Sequence, residues 1–284
     1  MPELPEVETL LQGLSPLVLG RRIERVEALR DRTVRKIASF EDFEASVVST
    51  QVVALRRYAK HLIVDLARNH EFIGHLILHM GMSGQLRSSG LTGEESVYVR
   101  HSNFRVHLDD GTIVAFIDPR TFGWIAFDSY DGDPMPISLR RLGPDAILSS
   151  DPLALIKARA TSSSIGIKWQ LLDQALIGGI GNMYGDEILF DAAIAPFRTP
   201  STFSEEEFIT LITSIRKILT RAIELRGSSL FDRTYRDIAG EIGAAQKFHM
   251  AYAREGEPCL RCGDQIVRVV SKGRSSFFCR ICQI

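Results

Sequence analysis

The chain has 284 residues, a formal net charge of −1, 45% hydrophobic and 24% charged residues, and four cysteines. That length suits two or three domains. The composition excludes a disordered or collagen-like chain, and the near-neutral balance excludes a strongly basic protein and on its face argues against a nucleic-acid partner. The charge is uneven, however: residues 61–133 carry net −5 and residues 247–284 net +4.

Glu3, Glu6 and Glu8 stand where a secretory signal would be basic. The most apolar stretch, Phe72–Met82, is shorter than the roughly 20 residues of a membrane span. A cytoplasmic protein is expected.

The first predicted element is a short helix. Pro5 suits its first turn, and Val7, Leu10, Leu11 and Leu14 recur at helical spacing. Glu3 and Glu6 sit near its N-terminus, where carboxylates are favoured. Residues 20–130 read mostly as strands. Gln51–Leu55 and His61–Leu66 are rich in Val, Ile and Leu, and Phe104, Val106 and Leu108 alternate with Arg105 and His107. Asp109-Asp110-Gly111 predicts a hairpin turn into Thr112–Ile117. Many short strands imply a sandwich or barrel. Pro134, Pro136, Pro144 and Pro152 then mark a connection.

Beyond it the period becomes helical. Leu153, Leu155 and Ile156 open one helix, Ile167, Leu171, Leu172 and Ala175 a second, and Ile188 and Leu189 lie in a third. Ser204 caps a fourth, with Phe208, Leu211, Ile212, Ile215 and Leu219 as its apolar stripe. The expected division is 1–133 (β-sandwich), 134–246 (helical) and 247–284 (a small basic module).

Cys259-x2-Cys262-x16-Cys279-x2-Cys282 uses every cysteine in the chain. Two such knuckles supply four thiolates for one structural Zn²⁺, which would fold a tail too small for its own core. Two disulfides are disfavoured in a cytoplasmic chain. Arg268, Lys272, Arg274, Phe277 and Phe278 lie between the knuckles and suit a nucleic-acid element or a solvated hairpin.

At the other end, an initiator Met is normally removed before Pro, which would expose Pro2 as a secondary amine. An α-amine titrates near 8 and can attack a sugar carbon to form an iminium, with Glu3 beside it to move protons. The same residues also suit a plain helix start. Gly178-Gly179-Ile180-Gly181-Asn182 fits a phosphate-holding turn or an ordinary glycine-rich link between helices. His79–Gly84 and Asp118–Gly123 each set a bulky residue, Met82 or Phe122, beside glycine. These suit wedges for a base stack, with Arg120 beside Phe122, or simple packing.

Taken together and in this order, these motifs resemble the formamidopyrimidine-DNA glycosylases of the Fpg/Nei family. Pro2-Glu3-Leu4-Pro5-Glu6-Val7-Glu8-Thr9 is similar to the N-terminal signature in its Fpg form. Arg57-Tyr58-Ala59-Lys60 resembles the segment that bears the family's lysine. The resemblance implies a multidomain α+β protein: an N-terminal β-sandwich preceded by a short helix, a helix–two-turn–helix domain, and a C-terminal zinc-finger β-hairpin. It implies a monomer acting on damaged double-stranded DNA, excising oxidised purines through a Schiff base on Pro2 and cutting the strand by β,δ-elimination.

By the same resemblance Glu3 opens the sugar, Lys60 serves β-elimination, Arg274 serves δ-elimination, and Glu6 is a supporting acid. Met82, Arg120 and Phe122 fill the void, and His101, Lys168 and Asn182 contact DNA. A Nei-like enzyme for oxidised pyrimidines and a non-catalytic lesion binder are the alternatives. The chain departs from the family pattern at Thr161–Ser164, which is usually basic, in the Ala239–Phe248 loop, and at Met80, usually Leu.

Overall fold

The computed structural model describes residues 2–35, 38–149, 157–158, 164–230 and 235–284. The expected helix around Leu153–Ile156 and the stretch Thr161–Ser163 lie outside them. The chain divides into two compact units. One runs through Arg141 and takes in Leu225–Ala244; the other is Leu142–Glu224 with Ala245–Ile284.

In the first unit, helix α1 (Leu4–Val18) precedes strand β1 (Ile23–Ala28) and helix α2 (Phe40–Val47). Then come β2 (Gln51–Tyr58), β3 (His61–Arg68), β4 (Glu71–His79), β5 (Gln85–Ser88), a single turn α3 (Ser89–Thr92), β6 (Ser102–Leu108), β7 (Ile113–Ile117) and β8 (Trp124–Ser129). They form two antiparallel sheets, ordered β1-β6-β7-β5 and β2-β3-β4-β8. One apolar core joins Leu62, Leu66 and Leu78 of one sheet to Phe104, Leu108 and Phe116 of the other. Val7, Leu10 and Leu14 of α1 close it. The expected sandwich and its leading helix are both present. Gly111 takes φ +83°, which the predicted Asp-Asp-Gly turn requires.

The segment Leu225–Ala244 belongs to this unit because Tyr235 and Ile238 enter the same core. A Cβ on Gly13 of α1 would meet Ile238 Cγ2 at 2.6 Å, so the small residue admits the returning chain.

The second unit holds α4 (Ile167–Leu171), α5 (Asn182–Asp191), α6 (Glu205–Glu224) and the hairpin β9 (Ile266–Ser271)–β10 (Arg274–Cys279). Periodicity alone carries the second predicted helix to Ala175. It stops at Leu171, and Asp173 turns the chain by accepting the Ala175 N–H. Ser204 caps α6 as expected: its Oγ takes the Glu207 N–H at 3.2 Å while Glu207 takes the Ser204 N–H at 2.8 Å. The Glu187 carboxylate accepts the N–H groups of Met250, Ala251 and Tyr252, tying α5 to the chain that leads into the hairpin.

Candidate active site

The N-terminus is an anchored element. Pro2, Glu3 and Glu6 are buried, and Glu3 and Glu6 form a reciprocal capping box at the start of α1. One Glu6 oxygen accepts the Glu3 N–H at 2.8 Å; the other accepts the Ser228 N–H at 2.7 Å. Gly227 makes this approach possible, since a Cβ there would meet Glu6 Oε1 at 2.7 Å. Burial, with the nearby Glu6 charge, pushes the Tyr235 hydroxyl well above its usual range. Glu6 thus holds the backbone of Glu3 in place. Ser228 is not legible in the sequence as part of this site, because nothing there pairs it with a residue 222 positions away.

Lys60 lies in the two-residue turn between β2 and β3, where Tyr58 pairs with His61. Ala59 takes φ +53° in that turn. Arg57 fixes it against α1: its Nε donates to Glu8 Oε2 at 2.7 Å and its Nη1 to the Ala59 carbonyl at 3.0 Å. A charge pair therefore brings the turn bearing Lys60 to the helix that begins after Glu3. His79 belongs to the same place. Burial, with the positive charges of Lys60 and Arg35, pushes its pKa down to about 4. Its Nδ1 accepts the Gly81 N–H at 3.1 Å, so the neutral ring carries its proton on Nε2. In the sequence His79 stands out only as a residue of an apolar stretch.

The two loops expected to carry the wedge residues meet. A Cβ on Gly81 would collide with the backbone of Phe122 and Gly123. Asp118, fully buried, organises both loops: it accepts Ser83 Oγ at 2.5 Å, the Gly123 N–H at 2.7 Å and the Arg120 N–H at 3.2 Å. Met82 and Phe122 are left exposed, with the Arg120 guanidinium 5.1 Å from the Phe122 ring centre. His101 is half-buried, and its carbonyl accepts the Asp118 N–H at 3.0 Å. Large apolar side chains held in solvent by a buried carboxylate suit insertion into a stack of bases.

In the second unit, Lys168 does not lie at a surface. Its side chain is fully buried, and Nζ donates to Asp186 Oδ1 at 2.6 Å and to the Ser275 carbonyl at 2.7 Å. The expectation that Lys168 contacts DNA does not fit this placement. A fully buried ammonium needs a counter-charge, and Asp186 supplies it. Burial raises Asp186 to about 7 against the pull of Lys168. Asn182, the first residue of α5, also donates Nδ2 to the Ser275 carbonyl, at 3.1 Å, while its Oδ1 is buried without a partner among the described residues. Arg274 is exposed beside this anchored carbonyl, at the end of the Lys272–Gly273 turn.

The four cysteine sulfurs lie within 4.8 Å of one another. Cys259 and Cys282 are 3.9 Å apart, and Cys262 and Cys279 are 3.5 Å apart. A tetrahedron of Zn–S bonds of about 2.3 Å has edges of about 3.8 Å, so the set fits one Zn²⁺. The N–H groups of Arg261 and Cys282 point at Cys259 and Cys279, each at 3.4 Å, as a thiolate knuckle requires. One structural zinc is held here.

Residues 1–125 match the formamidopyrimidine-DNA glycosylase N-terminal domain, 142–234 the H2TH domain of the same enzyme, and 256–284 the zinc finger found in FPG and IleRS. The chain is 36% identical over 299 residues to the formamidopyrimidine-DNA glycosylase of Rhodopseudomonas palustris (strain TIE-1), covering all of both chains. It is 35% identical over 283 residues to that of Carboxydothermus hydrogenoformans, again over the full length of both. The crystal structure of the MutM (Fpg) protein from Thermus thermophilus superposes with TM-score 0.85 at 36% identity, over 99% of this chain and 98% of that one. A complex of Lactococcus lactis Fpg with DNA containing an abasic site gives TM-score 0.87 at 31% identity, over 99% of each chain.

Proposed function

The chain belongs to the formamidopyrimidine-DNA glycosylase family and is a DNA glycosylase and AP lyase of base excision repair, and from that premise we propose its substrate and the roles of its residues. The substrate is duplex DNA carrying an oxidised purine, 8-oxoguanine or a formamidopyrimidine. The lesion must be flipped out of the stack to be reached. Met82, Arg120 and Phe122 fill the space it leaves.

Pro2, with Met1 removed, is the nucleophile. Its nitrogen attacks C1′ and gives up its proton, the bond from C1′ to the base breaks, and the departing base takes the electron pair and a proton. Glu3 protonates the ring oxygen, which opens the sugar and yields an iminium between Pro2 and C1′. The iminium acidifies C2′. Loss of that proton expels the 3′ phosphate, and a second elimination expels the 5′ phosphate. Lys60 and the Nε2–H of neutral His79 steady phosphate charge at the first step, and Arg274 does so at the second. Glu6 positions Glu3 rather than touching the sugar, and Asn182 contacts the DNA backbone. Functionally the chain divides at 133 and 246, although residues 225–244 pack in the first compact unit. The protein acts as a cytoplasmic monomer; among the described residues no helix is long and apolar enough to cross a membrane.

The observation that carries this reading is the pair of hydrogen bonds through which Glu6 fixes the segment before α1 that bears Pro2 and Glu3. Borohydride reduction during turnover on an 8-oxoguanine duplex tests it. A covalent protein–DNA adduct mapped to residue 2 is expected. An adduct at any lysine, or cleavage of a dihydrouracil duplex in preference to both purine lesions, overturns it.

A further inference from the structure

The first unit carries a second cationic feature that the catalytic reading does not use. The loop after β1, the residues leading into β6 and the Asp118–Gly123 loop surround a cavity of about 560 Å³. Arg30, Arg32, Arg100, Arg105, Ser102 and Thr121 line it, with no carboxylate among the described lining side chains. Arg105 is a fixed wall: it donates to the Val97 carbonyl at 3.0 Å and Glu27 at 2.9 Å, and lies 4.3 Å from the Tyr98 ring centre. Arg30, Arg32 and Arg100 differ. All three are exposed, and none has a side-chain hydrogen bond or ion pair among the described residues.

Ser102 supplies an independent observation. It is 3% exposed, it lines the cavity, and its Oγ has no partner among the described residues. A buried hydroxyl without a hydrogen bond costs free energy, and gathered guanidinium groups repel one another. An anion in the cavity relieves both. Guanidinium forks match phosphate oxygens in pairs, and a hydroxyl completes such a cradle.

Position decides which phosphate. Thr121 stands between the wedge residues Arg120 and Phe122, and Ser102 directly follows His101. The cavity therefore opens beside the loops that would enter the base stack. We infer that it binds a backbone phosphodiester of the DNA next to the wedge, through Arg30, Arg100 and the Ser102 hydroxyl. This rests on the DNA-repair reading above and adds a binding site to it.

The test is the salt dependence of affinity for a duplex bearing an uncleavable abasic analogue. Every phosphate that the protein no longer neutralises flattens the slope of log K against log salt by about 0.9. The R30A/R100A protein is expected to show a slope flatter by about one to two and an affinity lower by roughly tenfold or more. R30K/R100K keeps the charge but not the fork, so its slope returns and its affinity recovers only in part. The melting temperature of each variant reports folding, and borohydride trapping by the parent protein reports whether the functional reading holds. An unchanged slope and affinity in a folded R30A/R100A protein, with the parent trapping normally, overturns the inference. So does a rise in melting temperature with millimolar inorganic phosphate that the variant loses while its DNA slope stays the same, because the cavity would then serve free phosphate.

Discussion

Glu6 and Ser228 meet through a 2.7 Å hydrogen bond, the carboxylate accepting from a backbone N–H 222 residues away. The other oxygen of the same carboxylate holds the Glu3 N–H, so one buried side chain joins the first residues to a segment that returns after the helical region.

Glu6→Gln tests this joint. An amide has one acceptor oxygen and presents N–H groups to the second donor, which leaves a buried N–H unmet. A loss of about 1–3 kcal/mol is expected in urea unfolding. Borohydride trapping should fall with it, because Glu3 loses its fixed position. Trapping at the parent rate would assign Glu6 to stability alone.

Gly81→Ala addresses the wedge. Gly81 sits at φ +61°, and its added Cβ would press on the Phe122–Gly123 backbone. Separation of the two loops should weaken binding to lesion duplex more than binding to single strands, because only the duplex needs a wedge. Gel-shift titrations with both DNAs check this, and an equal effect on the two would argue against it.

Lys168→Met strands the Asp186 carboxylate in the interior and should cost about 3–5 kcal/mol, whereas a Lys168→Met/Asp186→Leu pair should recover most of it. Unfolding of the singles and the double yields the coupling energy. Additive losses would show that the pair is not the tie between α4, α5 and the hairpin.

Acid should weaken the fold through His249. Burial holds its pKa at about 4, below the ordinary 6.5. The unfolded chain therefore binds a proton that the folded ring refuses, so stability falls as pH drops from 6.5 towards 4. A complete shift of this size is worth up to roughly 3 kcal/mol. His249→Phe keeps the edge contacts to Tyr184 and Tyr252 and should lose less stability over that range. Urea midpoints at stepped pH give the comparison; parallel curves would rule His249 out.

Zinc removal should release the hairpin. Cys259 and Cys279 share a small cluster with Phe190, Ala251 and Ile266, too little apolar surface to hold β9–β10 alone. Chelation should abolish DNA binding and expose the hairpin to protease, and added zinc should restore both. Intact binding after complete metal loss would contradict a folding role.

The sequence by itself determined the elements whose signals are local. The spacing of four cysteines, the alternation in Phe104–Leu108 and the Ser204 cap each act over a few residues, so chemistry legible in the chain fixes them. It also named Pro2, Glu3 and Lys60, since their residue types in their motifs carry the resemblance. Tertiary structure alone decided the contacts between distant segments. Arg57 ties Lys60's turn to Glu8 of α1, Ser228 meets Glu6, and Asp118 joins the two wedge loops. It also buried Lys168, which the resemblance had set against DNA. A lysine reads as solvent-facing from sequence because burying a charge is costly. Only the fold brings Asp186 and the Ser275 carbonyl close enough to offset that cost.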